Sequence, residues 1–146
     1  MYGIRFEINN AYDNFLGKIL NKINILEYNW QILHDDVFDE NNQYKFNKEY
    51  YKGNEFSELI KGNKYYIISL KLAAYKKTCY KEINNYEGFE KSEARLFIKI
   101  IDNIFVNVYA KEKSLLDIII NNLKSNMISD IEYISQSNLQ KYFDND

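Results

Sequence analysis

The side chains best equipped for chemistry fall in one short run, where His34 is followed by Asp35, Asp36, Asp39 and Glu40. An imidazole beside carboxylates can hold a divalent cation or act as an acid–base pair. The spacing gives either role little support. With 1 His in the chain, a two-histidine metal site is excluded. An EF-hand loop begun at Asp39 would put Tyr44 where the sharp turn needs Gly and Tyr50 where the bidentate Glu belongs. A solvated strand-to-loop corner explains the same residues with fewer demands. A metal-dependent enzyme around His34 therefore stands as the second alternative.

Cys79 lies among Lys76, Lys77 and Lys81, and nearby cations make a thiol more reactive. A nucleophile also needs a base, and the sole His is distant in sequence. An inert, partly buried Cys79 is the simpler expectation. Lys61, Lys64, Tyr65, Tyr66, Lys71, Tyr75, Lys76, Lys77, Tyr80 and Lys81 interleave cations with aromatic rings, as phosphate neutralisation and base stacking require. A strand would send alternate members of that stretch to opposite faces, which argues against a single binding surface. Single-stranded nucleic-acid binding through residues 61–81 is thus the first alternative, and nucleic acid is not the expected partner. Gly-rich phosphate loops, Ser-centred elbows, CxxC pairs and dinucleotide fingerprints are absent from the sequence.

The elements that would position these residues can be read from apolar spacing. Ile4, Phe6 and Ile8 alternate with Arg5 and Glu7, predicting a strand over 3–8, with Asn9 and Asn10 stopping it and able to cap the next element. Phe15, Leu16, Ile19, Leu20 and Ile23 predict a helix over 11–21. Period two returns over 25–34, with Tyr28, Trp30 and Ile32 on one side. Residues 35–53 show neither period and read as a long surface excursion, with a short strand around 44–46 and aromatics Tyr44, Phe46, Tyr50 and Tyr51 in polar surroundings. A short helix over 55–61 ends with Gly62 at its C′ position. A strand over 65–75 comes next, setting Ile68, Leu70 and Leu72 opposite Ser69 and Lys71.

Residues 94–110 predict a hairpin. A two-residue loop would set Ile98 against Asn107 and mix the faces. A three-residue loop over Ile101–Asn103, with Asn103 left-handed, aligns Leu96, Ile98 and Ile100 with Ile104, Val106 and Val108. Ser114 and Asp117 resemble a capping box opening a helix whose stripe runs from Leu115 through Leu123 to Met127. Ile131 and Tyr133 mark a last strand, and 136–146 read as a polar, frayed tail.

At 146 residues the chain suits a single domain over 1–146. Hydrophobic residues at 46% supply a core. The 14 Tyr, 9 Phe and 0 Pro fit an AT-biased coding sequence. Net charge is −2 and evenly spread, so neither half resembles a polyanion-binding arm. One Cys fits a reducing compartment. The opening MYGIRFEINN lacks the apolar run of a signal peptide, and no stretch approaches the roughly 18 apolar residues of a membrane span. A cytoplasmic location without membrane association is expected.

The segments MYGIRFEINNAYDNFLGKIL, INILEYNW, KYYIISLKLAAYKK, EINNYEGFEKSEARLFIKIIDNIFVNVYAK and DIEYIS resemble DUF2691, small proteins of unknown function from Bacillus and related Firmicutes. The likeness spans nearly the whole chain. It departs at Lys76-Lys77, where the family pattern has Pro-Lys, and in a C-terminal tail without an apolar ending. The resemblance implies a shared domain and transfers no catalytic residue or cofactor.

The expected fold is α+β, an antiparallel or mixed sheet of five to six strands with two main helices on one face. The expected function is a non-enzymatic protein-binding module, without cofactor, in which the sheet face or Tyr44, Phe46, Tyr50 and Tyr51 engage another protein. Immunity or antitoxin activity is one form of it. Oligomeric state is left open.

Overall fold

The computed structural model describes residues 1–9 and 11–145. The N-terminal alternation forms β1 (Tyr2–Glu7), which buries Ile4 and Phe6 and exposes Glu7. Six further strands join it: β2 (Asn29–Asp39), β3 (Tyr50–Lys52), β4 (Tyr65–Tyr75), β5 (Ala94–Ile101), β6 (Phe105–Ala110) and β7 (Glu132–Tyr133). They form a 7-stranded sheet in the order β3-β2-β4-β5-β6-β1-β7, with every pairing antiparallel. The architecture is α+β. Seven strands rather than five to six are present among the described residues: the last strand expected at Ile131 and Tyr133 forms as β7, and the one missed is β3, whose three residues are too few to show a period.

The sheet is clothed on both faces, which corrects the expectation of two helices on one face. Alternation in β4 is the reason: Leu72 and Ala74 enter one core, and Ala73 and Tyr75 enter another. Over the first core lie α1 (Phe15–Ile19), α2 (Gly53–Lys61) and α4 (Lys113–Ser125). Over the second lie α3 (Tyr86–Lys91) and α5 (Leu139–Asp144), whose Phe89, Leu139 and Phe143 are buried. The supposed frayed tail is therefore a packing element. Leu139 and Phe143 are spaced for a single helical turn, too little for a recognisable stripe.

Other boundaries moved for identifiable causes. The helix expected over 11–21 shrinks because Asp13 pairs with Tyr65 as an extended bridge, and Lys22 breaks the chain with φ 65°. The capping expected of Asn10 lies outside the described residues, and Asn14 is the N-cap of α1. The 35–53 segment is no simple excursion: β2 runs on to Asp39, and Phe46 and Tyr51 are both only 3% exposed. They pack around Phe56, which also stacks on Trp30 at 4.4 Å. The Tyr51 hydroxyl accepts the Asn47 and Lys48 N–H groups at 2.8 and 2.9 Å, shaping the turn before β3. Gly53 opens α2 because a Cβ there would lie 2.5 Å from the Ile25 carbonyl oxygen. Gly62 is the C-cap of α2 with φ −76°, so no left-handed C′ is formed. Ser114 caps nothing either, since α4 begins at Lys113 with Glu112 as N-cap.

In β4 a register shift between Asp36/Ser69 and Val37/Ile67 reverses the alternation, a β-bulge. Ile67 becomes a core residue and Ile68 is 39% exposed, the reverse of the predicted parity. The 94–110 hairpin forms, with Ile98 opposite Val108 and Ile100 opposite Val106. That pairing is two residues from the expected one. Both registers keep the same faces, and the turn chooses between them: Asp102 and Asn103 are both left-handed, and Ile104 N–H bonds the Ile101 carbonyl at 3.2 Å.

Candidate functional site

The topology gathers one end of β2, the start of β4, the β5–β6 turn and the end of β1 along one margin of the sheet. Asn103 N–H joins the turn to the Ile68 carbonyl at 2.9 Å. Helix α4 returns to this margin and closes in a Schellman arrangement, with Met127 N–H on the Lys124 carbonyl and Ile128 N–H on the Leu123 carbonyl. Met127 occupies the left-handed position at φ 65°, where Gly is usual, and its side chain is 93% exposed. It lies beyond the helical stripe to which its spacing assigned it.

This margin carries Tyr12, Tyr44, Ile68, Ile104, Phe105 and Met127, all large apolar side chains open to solvent. Two ring pairs order part of it: Phe38 with Tyr44 at 4.8 Å and Tyr12 with Tyr66 at 5.3 Å. Beside Phe105 and Met127 opens a groove of about 760 Å³. Its floor is residues 5–9, the end of β1 and the two residues after it, and its far wall is Met127 to Asp130. Glu7, Asp130 and Glu132 bring carboxylates to it. The Arg5 guanidinium sits 4.3 Å over the Tyr142 ring.

The His34 cluster holds together only in part. His34 Nε2 lies 2.7 Å from Ser69 Oγ and 3.5 Å from an Asp36 oxygen, and the Ser69 hydroxyl donates to that oxygen at 3.0 Å. His34 Nε2 therefore meets a hydroxyl and a carboxylate together, and the imidazole tautomer sets the direction of its bond to Ser69. Asp35 lines a shallow gap of about 380 Å³ with His34, and burial raises its carboxyl above the usual range. Asp39 is occupied in a turn, accepting the Asn41 and Gln43 N–H groups, and Glu40 is exposed beside it. Among the described residues, no three His, Cys, Asp or Glu side chains converge as metal ligands.

The basic, aromatic stretch is divided between the two sides of the sheet. Tyr65 and Tyr75 are buried in opposite cores, while Lys61, Lys64, Lys76, Lys77 and Lys81 are exposed. Tyr80 packs on Tyr50 at 4.3 Å and meets Tyr75 edge-on at 5.3 Å. Cys79 is exposed rather than partly buried. Of the aromatics singled out in 35–53, Tyr44 and Tyr50 reach solvent and Phe46 and Tyr51 do not.

The family model for DUF2691, described as a protein of unknown function, matches residues 1–143. The chain belongs to DUF2691. The uncharacterized protein YncE of Bacillus subtilis (strain 168) is 30% identical to it over 144 residues, covering 93% of each chain. No solved structure matches. The DUF2691 match takes in every strand of the sheet and both walls of the groove. Sequence reasoning missed Ile68, Ile104 and Met127 in this DUF2691 chain because each continues an apolar period whose other members are buried, and missed Tyr12 and Phe105 because neither belongs to one. For Met127 a signal was available, since it comes directly after Asn126, just where a helix C-terminus commonly turns left-handed.

Proposed function

We propose that this DUF2691 protein is a protein-binding module whose partner docks on the apolar margin of the sheet. The observation that carries the reading is the gathering of Tyr12, Tyr44, Ile68, Ile104, Phe105 and Met127 at one end of the molecule. Single exposed apolar residues are ordinary, whereas a concentration of them along one margin favours an interaction surface. Tyr and Met suit that role, one as a rigid amphipathic anchor and the other as an adaptable one. A cytoplasmic setting belongs to the same reading, with the exposed Cys79 kept reduced. Immunity or antitoxin activity is its narrower form, supported by fold-level analogy alone.

The test is affinity capture from a native lysate with the wild type and with a Tyr44→Glu/Ile68→Glu variant of unchanged fold. A protein retained by the wild type and lost from the variant is the expected result. A wild type that retains no protein, or one held equally by both, overturns the reading.

A further inference from the structure

Resting on the protein-binding reading above, we propose that the groove beside β1 receives an extended segment of the partner bearing Lys or Arg, which adds to the sheet edge in line with β7. Strand β7 is only two residues long, pairing Tyr133 with Ile4 and Glu132 with Arg5, while β1 continues to Glu7. The hydrogen-bond phase of β1 is fixed by its two neighbours. Ile8 N–H bonds the Ile104 carbonyl at 2.9 Å, so the even-numbered residues face β6. Ile134 N–H bonds the Gly3 carbonyl at 2.9 Å, so the odd-numbered residues face the other way. Glu7 consequently directs its N–H and C=O into the groove, where among the described residues neither has a partner.

The far wall cannot close this gap by itself. Ile131 N–H bonds the Ser129 carbonyl at 3.0 Å, a tight turn that uses the carbonyl next to Asp130 and ends β7 early. What remains is a strand edge with a vacant place beside it, the geometry of β-augmentation. Glu7 continues the two-residue period along which Gly3 and Arg5 meet the β7 segment, so its N–H and C=O match the backbone of an extended peptide laid in line with β7.

The side chains state the partner's chemistry. Glu7, Asp130 and Glu132 line the groove, and none forms an ion pair among the described residues. Arg5 is the basic residue of the lining, and its guanidinium is held against Tyr142. Phe105 and Met127 supply apolar contact on either side. An incoming strand alternating cationic and apolar residues meets carboxylates and exposed hydrocarbon in turn, whereas an acidic strand would face like charge.

The probe is a blocked peptide alternating Lys and Val, with a Glu-for-Lys counterpart as control, added at millimolar concentration to the full chain labelled for NMR. The expected result is saturable shifts centred on Glu7 and Met127–Asp130 with the Lys peptide alone, and exchange of the Glu7 amide slowed at least about tenfold. A Glu7→Lys/Asp130→Lys variant should bind the same peptide about tenfold more weakly. Absence of shifts at Glu7, equal binding of the Glu peptide, or a Glu7 amide already protected in a homodimer would each overturn the inference. Should the edge fail while the Tyr44→Glu/Ile68→Glu variant still loses its captured partner, protein binding stands and strand addition falls.

Discussion

One hydroxyl holds two helices in place. Tyr65 Oη accepts the Leu16 and Gly17 N–H groups at 3.0 and 3.4 Å and donates to the Ile60 carbonyl at 2.8 Å. These are orphan donors at the start of α1 and an orphan acceptor at the end of α2. Tyr65→Phe takes this partner from the buried Leu16 N–H and Ile60 carbonyl and from the part-buried Gly17 N–H, and should cost about 2 kcal/mol in urea unfolding, without change of fold. The same Tyr65 stood in the sequence as a base-stacking candidate. Its local surroundings are basic and polar, and only the bulge at Ile68 and Ser69 reveals that its ring points inward. Asp35 supplies a second prediction at this scale. Burial raises its folded carboxyl above the reference value of 3.8, so the ionised form opposes folding at neutral pH. The penalty is fully present above the folded pKa and disappears below the unfolded one. Asp35→Asn should stabilise the protein at pH 7 by up to about 0.5 kcal/mol, given its partial exposure. That gain should vanish when the unfolding is repeated below pH 3.8.

At the scale of elements, the end of α4 sets two preferences against each other. A left-handed non-Gly residue costs roughly 1–2 kcal/mol, and Gly costs roughly 0.5–1 kcal/mol in chain entropy. The Met127 side chain is 93% exposed and returns little packing energy. Met127→Gly should therefore raise stability by about 0.5 kcal/mol in thermal or urea unfolding, while weakening whatever binds the groove. A gain in stability with a loss of binding would mark a residue retained for contact. Elements with several apolar repeats, such as β1, β4 and α4, were legible in the sequence. The hairpin shows where that legibility stops: apolar parity gave the correct faces, and two registers share that parity. The left-handed pair Asp102 and Asn103 decides between them.

For the molecule as a whole, the decisive feature is a sheet packed on both sides, and Lys99 ties its second layer down. The residue is 1% exposed, and its ammonium donates to the Phe143 and Asn145 carbonyls, each at 2.9 Å. Cations at a helix C-terminus satisfy both its free carbonyls and its dipole. Lys99→Met should lower global stability by about 2 kcal/mol and speed amide exchange and proteolysis through α5 more than through α4. Equal loosening of both helices would contradict this role. The second layer was illegible because α3 and α5 are each one or two turns of weak pattern and Ile83, buried with them, comes from an irregular segment. The candidate site was illegible for a related reason. Its groove draws on residues 5–9, 104–107 and 127–132, and adjacency among such distant segments exists only after folding.

The order β6-β1-β7 has a consequence for synthesis on the ribosome. β1 emerges before β2 to β7, yet its neighbours are residues 105–110 and 132–133. Until those residues follow, Ile4 and Phe6 have no neighbouring strand to join, leaving a greasy, pairing-competent ribbon in the nascent chain. Arg5 and Glu7 alternate with them, and those charges discourage premature self-association until the closing strands arrive.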